Sequence, residues 1–295
     1  MRPDDLALKD HLERLYRGAD LARYRARDPI AFVHRYRDPA DQEVVAFFAS
    51  GLAFGRVDLF RPVLDALCAR FDARGGPAAW VRTLDRAEAR VIEPMYYRWC
   101  RGADLAVLGG ALQRALQRGP LQDLLGGPGP LEDRARAALH TLRADAVRAT
   151  AMLGRPVLNP DSLSRGVKFL LPDPNASSGL KRWNLLLRWL VRPADDGVDL
   201  GLWTSVPPSE LILPLDTHTG RIARLIGLTA RRDTSWKTAV DITTTLRRLD
   251  PVDPIRFDFA LAHAGISDNC HGRFDVETCP GCALRPICSA GQPVW

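Results

Sequence analysis

The feature that most constrains the fold is a helical spacing of apolar residues that recurs along the chain. It is clearest after Asp38-Pro39-Ala40-Asp41, a strong helix start, because proline fits the first turn and acids favour its positive end. The apolar positions that follow have the spacing of a half-buried helix: Val44, Phe47, Phe48, Gly51 and Leu52. Leu, Ala and Arg dominate the composition and β-branched runs are scarce, so we predict an all-α protein.

Similar patterns predict other helices, separated by breakers such as Gly75-Gly76-Pro77 and Gly126–Pro130. Their expected positions are near residues 3–17, 57–73, 102–118, 130–148, 235–248 and 254–265, with a short helix between Asp216 and Gly227. A chain of 295 residues suits one large domain or two medium ones.

Charge and hydropathy narrow the class of protein. No apolar run approaches the roughly 18 residues that a membrane span needs, and the start Met1-Arg-Pro-Asp-Asp lacks a secretory apolar region. We therefore expect a cytoplasmic protein without a membrane partner.

The net charge is +6, and residues 181–248 hold eleven Lys/Arg against seven Asp/Glu. This excess fits either a polyanion partner or an arginine-rich solvated surface, and charge alone does not separate the two.

The helix predicted to begin at Lys181 is amphipathic. One face is apolar, with Trp183, Leu186, Leu187 and Leu190, and another is polar, with Lys181, Asn184, Arg188 and Arg192. The pattern predicts that the apolar face packs on a core and that the cationic face, Arg188 included, meets a ligand.

Four of the six cysteines occur close together as Cys270-x8-Cys279-x2-Cys282-x5-Cys288. Disulfides are rare in the cytosol, so four clustered thiols indicate a metal. Both zinc and an iron–sulfur cluster take four cysteines, and the unequal gaps favour iron–sulfur without excluding zinc. The other two cysteines lie in apolar helical stretches and are expected in the core.

A helix near residues 254–265 followed by this cysteine spacing resembles the [4Fe-4S] loop of endonuclease III, a helix-hairpin-helix DNA glycosylase, although the first gap is longer here. The resemblance is strong over about residues 180–288. It implies a two-lobed helical fold divided as 1–38, which packs with the C-terminal lobe, 39–176 as a helical barrel, 177–268 as catalytic and DNA-binding helices, and 269–295 as the cluster loop. It also implies a structural [4Fe-4S] cluster, with Arg273 and Arg285 contacting phosphate.

Leu215-Asp216-Thr217-His218 resembles the stretch that carries the catalytic aspartate of that superfamily. The resemblance maps a catalytic role onto Asp216, with His218 beside it on DNA. From the local sequence, an aspartate before a helix is also a common N-cap, and the two roles are compatible.

The superfamily's bifunctional members use a lysine amine as nucleophile, and Lys181 is the candidate. It stands at the start of the predicted cationic helix, after Ser177-Ser178-Gly179-Leu180. Lys168 is a weaker rival. The usual glycine-rich hairpin is absent, and Lys181 and Asp216 are 35 positions apart. This long separation is more similar to that of archaeal-type 8-oxoguanine glycosylases.

The resemblance implies a partner and a reaction. Double-stranded DNA with a damaged base would be bound through phosphates by Arg188, Arg221 and Arg224. The extruded base would stack on Trp183 or Trp203, although either tryptophan could instead be core. The segment Asp38–Arg56 resembles the start of the superfamily's barrel, where a small-residue turn faces DNA. The expected activity is base excision with AP-lyase chemistry; the alternative is a non-catalytic protein that binds DNA structure or damage.

Overall fold

The computed structural model describes residues 3–266 and 270–291. Within them the backbone is mostly α-helical, which confirms the all-α prediction. The helices are α1 (Pro3–Gly18), α2 (Leu21–Arg27), α3 (Ile30–Val33), α4 (Pro39–Leu52), α5 (Val57–Asp72), α6 (Pro77–Thr83), α7 (Arg86–Ile92), α8 (Gly102–Arg118), α9 (Leu131–Met152), α10 (Arg165–Leu170), α11 (Lys181–Val191), α12 (Thr217–Leu225), α13 (Trp236–Leu249) and α14 (Asp258–Ile266). A short antiparallel hairpin, β1 (Tyr96–Tyr97) and β2 (Cys100–Arg101), precedes α8. None of the helices in these ranges is long and apolar enough to cross a membrane.

Local sequence explains where the best predicted helices begin. Asp38 caps α4, because its Oδ1 accepts a hydrogen bond from the Ala40 amide at 2.8 Å, and Pro39 occupies the first helical position. Asp216 caps α12 in the same way. The apolar residues predicted for α4 are buried, Phe48 and Leu52 completely.

The chain divides into two compact units. The first comprises residues 1–26 and 177–295, and the second comprises residues 27–176. Residues 27–38, which were predicted to belong with the first segment, lie in the second unit. The predicted boundary at 268/269 lies outside the described residues.

The second unit has an aromatic core that includes one buried acid. The rings of Phe71 and Trp80 lie 4.9 Å apart between centroids, and Phe48 lies 5.4 Å from Phe71. The indole Nε1 of Trp80 donates to Glu88 Oε1 at 2.7 Å. Arg70 also binds this carboxylate and holds the pKa of Glu88 below its usual value. The buried indole and carboxylate therefore satisfy each other.

Candidate functional site

Asp216 lies at the N-terminal end of α12 and is partly exposed. Its Oδ1 accepts hydrogen bonds from the backbone amides of His218 and Thr219, each at 2.9 Å. The capping role that the sequence left open is therefore present. Because both bonds reach the same oxygen, the cap also fixes the direction of the carboxylate.

Helix α14 packs closely on α12 next to Asp216. A Cβ at Gly265 would lie only 3.1 Å from the Cβ of His218, so the close approach depends on this glycine. Burial raises the pKa of Asp258 at the start of α14; Arg188 opposes the rise and the charge of Asp216 adds to it. Asp216 is thus coupled electrostatically to a buried acid. The partly exposed His218 has its Nδ1 buried, without a hydrogen-bond partner among the described residues.

Lys181 is the first residue of α11 and is also partly exposed. The preceding Leu180 has φ 45° and ψ 35°, a left-handed conformation that costs a leucine about 1–2 kcal/mol. Before it, a Cβ at Gly179 would lie 2.7 Å from the carbonyl oxygen of Thr234, so the turn is packed tightly against the start of α13. The position of Lys181 is therefore set by a strained and closely packed turn. Lys181 and Asp216 belong to the same compact unit, and neither is buried.

The prediction that Arg188 contacts DNA is wrong, because its side chain is only 2% exposed. Its Nη1 lies 2.6 Å from Asp258 Oδ2, and its Nε lies 3.2 Å from Asp199 Oδ1. Arg192, one turn further on, is buried against Asp199 and Asp253. Arg188 and Arg192 of the cationic face are thus turned toward internal carboxylates, which satisfy charges that could not be buried alone.

Trp183 and Trp203 are core residues, which is the alternative to base stacking that the sequence left open for both. Trp203 is completely buried and Trp183 is 5% exposed. The backbone amide of Trp203 donates to the carbonyl of Leu190 at 2.8 Å, which ties the following segment to α11. Stacking a base on either indole would require the first unit to open.

The four remaining predicted phosphate-binding arginines differ in their surroundings. Arg221 donates through Nη2 to the carbonyl of Cys270 at 2.5 Å, and Arg285 donates through Nε to a backbone carbonyl six residues further on at 3.2 Å. Both therefore brace the cysteine segment. Arg224 is partly exposed and Arg273 is exposed. These two are the better placed of the four for an external anion.

The cysteine segment, residues 270–291, contains all four clustered thiols, each partly exposed. Among the described residues, no three side chains of His, Cys, Asp or Glu form a group that could hold a metal ion. The thiols are nevertheless neighbours. Burial raises the pKa of Cys282 and Cys288, and the charges of the other clustered cysteines raise both further.

Backbone amides donate hydrogen bonds to some of these sulfurs. The amide of Asp275 donates to Cys279 Sγ at 3.3 Å. Backbone hydrogen bonds from Leu284 and Arg285 lower the pKa of Cys282, opposing its burial. The described side chains do not themselves form a metal site, and the four cysteines remain the candidate ligands that the sequence predicted.

The cysteine segment is fastened to α12. The amide of Ser289 donates to the carbonyl of Leu225 at 2.8 Å, near the end of the helix that Asp216 caps. A Cβ at Gly272 would lie 2.7 Å from Arg221 Cδ, so the backbone at this glycine packs directly against the Arg221 side chain. The segment therefore supports the element that carries the candidate carboxylate.

Sequence reasoning missed a second feature, in the second unit, which we call the arginine–aromatic surface. It comprises Phe54, Arg98, Trp99, Arg165 and Phe169. The three rings are partly exposed, with centroids 4.3–5.2 Å apart, and the Arg165 guanidinium lies 4.7 Å from the centroid of Trp99. Arg98, at the tip of the β1–β2 hairpin, has φ 54°. The Ala53–Arg56 stretch was visible in the sequence, but its pairing with a hairpin some 40 residues away was not.

Together, the fold and the site define a mostly helical protein in which a four-cysteine segment braces a helix capped by a partly exposed aspartate. Residues 28–267 match the family described as "Protein of unknown function (DUF2400)", and the chain belongs to this family. No curated protein and no solved structure matches the chain.

Proposed function

We propose that the protein is a DNA glycosylase of base-excision repair with AP-lyase activity, acting on a damaged base extruded from the duplex. Lys181 is the nucleophile and Asp216 is the carboxylate that stabilises charge on the sugar. The observation that carries the proposal is the attachment of the cysteine segment, through Arg221 and Ser289, to α12, the helix whose start Asp216 caps. The resemblance likewise implies a cysteine loop that follows the catalytic aspartate in the chain.

The chemistry follows from the two groups. The neutral amine of Lys181 attacks C1′ as the N-glycosidic bond breaks, and the base leaves with the electron pair of that bond and gains a proton. Positive charge develops on the sugar, and the Asp216 carboxylate, fixed by its cap, stabilises it. Opening of the sugar ring gives a Schiff base between Lys181 and C1′. Loss of a C2′ proton then expels the 3′ phosphate and cuts the strand.

Binding must offset the cost of extruding a base, which is a few kcal/mol. In the first unit, Arg224 is partly exposed and Arg273 is exposed, so both are accessible to phosphates. In the second unit, the arginine–aromatic surface combines guanidinium groups with partly exposed rings, a combination that suits phosphates and unstacked bases. We propose that the two units are the two lobes of a glycosylase-like fold.

The proposed cofactor is a [4Fe-4S] cluster on Cys270, Cys279, Cys282 and Cys288, with zinc as the alternative. When bound, it would supply structural support and no bond-breaking chemistry. The amides directed at the sulfurs support thiolate ligation.

Borohydride trapping tests the nucleophile, and a duplex with an abasic site removes the need to know the lesion. The chain has only four lysines, Lys9, Lys168, Lys181 and Lys237, so each can be replaced by alanine in turn. We expect wild type to form a covalent adduct and Lys181→Ala to form none. The exposed Lys237 in the same unit is the matched control, and its alanine variant should trap normally. Trapping at full strength by Lys181→Ala would contradict the assignment, and its loss only in Lys168→Ala would move the nucleophile there.

The second candidate is a protein that binds damaged or distorted DNA without cutting it. It is favoured by the engagement of Asp216 in a helix cap, which alone accounts for an aspartate at this position. It predicts salt-sensitive DNA binding that survives Asp216→Asn, with no product from any lesion-containing or abasic duplex.

A further inference from the structure

The second unit contains a pocket of about 400 Å³ whose lining includes neither Lys181 nor Asp216. It is bounded by α7, α8, the end of α9 and the segment that leads into α10. This volume is within the range of small-molecule sites, about 300–1,000 Å³. The pocket can therefore hold a compact organic ligand.

The lining combines aliphatic side chains with charged ones, and Arg86 and Arg90 at its rim are exposed. Small aliphatic side chains line the walls: Ala103, Ala106, Val107, Leu153, Val157 and Val167. Arg86, Arg90 and Arg155 contribute guanidinium groups, while Glu93 and Asp104 contribute carboxylates. The lining thus has one net positive charge.

Two of the three pocket arginines carry a positive charge that no carboxylate among the described residues neutralises. Arg155 forms an ion pair with Glu93. Arg86 and Arg90 lie one turn apart on α7, so they share a face. Neither guanidinium has an ion-pair or hydrogen-bond partner among the described residues. The Arg86 guanidinium nonetheless packs against the backbone at Gly154. A Cβ at this glycine would lie 2.8 Å from the guanidinium carbon, so the close contact depends on the absence of a side chain there.

The internal acid does not compete for these arginines. Asp104 is 6% exposed and accepts hydrogen bonds from the Arg101 amide at 2.7 Å and from the Ser164 hydroxyl. A Cβ at Gly166 would collide with its carboxylate at 2.0 Å, so Asp104 is tightly enclosed. The charge left for a ligand to neutralise is therefore the positive charge at the rim.

We propose that this pocket binds a small organic anion with an apolar body, a carboxylate or a phosphate monoester. Arg86 and Arg90 hold the anionic group by charge-assisted hydrogen bonds, and the aliphatic walls hold the body. The site is independent of the proposed action on DNA, which assigns no role to any of these residues.

Calorimetric titration of the full chain with four probes tests the proposal: benzoate, phenyl phosphate, inorganic phosphate and benzyl alcohol. Benzoate and phenyl phosphate each combine an anionic group with an apolar body. Inorganic phosphate has only the anionic group, and benzyl alcohol has only the apolar body. We expect benzoate or phenyl phosphate to bind at least about tenfold more tightly than either half-probe. Whichever of the two binds more tightly identifies the anion as a carboxylate or a phosphate ester.

Variants assign the binding to the pocket. Arg86→Gln with Arg90→Gln should weaken binding about tenfold or more. The matched control is Arg37→Gln with Arg82→Gln, which removes two exposed arginines from the same unit outside the pocket. Ala103→Trp, at a partly exposed wall position, should block binding while the melting temperature stays near that of wild type. Absence of binding by both full probes, equal binding of benzoate and benzyl alcohol, or an unaffected Arg86/Arg90 variant would each overturn the proposal.

Discussion

Two substitutions at Asp216 separate its capping role from its proposed catalytic role. Asparagine caps a helix about as well as aspartate, because its side-chain oxygen also accepts from the backbone amides, but it has no negative charge. Alanine removes both the cap and the charge. The contrast is informative because the structure shows Oδ1 engaged with two amides at 2.9 Å.

The expected magnitudes follow from these contacts. Asp216→Ala leaves two amides of the first turn without their acceptor and should lower the free energy of unfolding by about 1 kcal/mol, or roughly 3 °C in Tm. Asp216→Asn should change it by less than about 0.5 kcal/mol. Both variants should lose strand cleavage to the same extent, by about a hundredfold or more, because a fixed charge near the reacting sugar is absent from both.

Urea unfolding and cleavage of a lesion-containing duplex measure the two effects separately. Asp38, which caps α4 through one amide at 2.8 Å, is the control. Asp38→Ala should be destabilised like Asp216→Ala but should cleave DNA normally. Full activity of Asp216→Asn would refute the catalytic role, and equal stability of the alanine and asparagine variants would refute the energetic value of the cap.

Three further predictions concern other parts of the chain. Arg188→Ala should lose about 3–5 kcal/mol in urea unfolding, because it leaves the buried Asp258 without its arginine, whereas Asp199 keeps Arg192; a loss below about 1 kcal/mol would contradict this. Cys279→Ser, purified without oxygen, should lose iron and sulfide, whereas Cys68→Ser, at a buried position in the other unit, should retain them; equal metal content in both would count against cluster ligation. Burial, reinforced by Asp196, raises the pKa of Tyr16 from 10.0 to about 12. Because the folded pKa is the higher one, the stabilisation is complete below pH 10 and is lost as the pH rises to about 12. Unfolding free energies measured across this range should therefore fall more for wild type than for Tyr16→Phe, and parallel curves would refute the assignment.

Features that depend on a few neighbouring residues could be predicted from the sequence. The cap at Asp38 and the helix that follows need only proline geometry, an amide acceptor and apolar spacing, all of which lie within fifteen residues. The cap at Asp216 is equally local. The four-cysteine grouping was also readable, because its members lie within twenty residues of one another.

The roles of α11 could not be predicted in this way. Its sequence shows an apolar face and a cationic face, and a helical pattern alone assigns the cationic face to the outside. Asp199 and Asp258, which lie 11 and 70 residues beyond Arg188, reverse that assignment by neutralising the guanidinium in the interior. The same holds for Trp203, whose burial depends on how its segment returns to α11.

The sequence by itself therefore determined the helical class, the helix starts and the thiol-rich segment, because each arises from interactions between residues near one another in the chain. Only the tertiary structure decided which charges face inward, that the cysteine segment braces α12, and that Phe54 and Trp99 meet on one surface. Those outcomes depend on contacts between distant segments, and the energy of burying a charge or a ring is set by the partner it meets there.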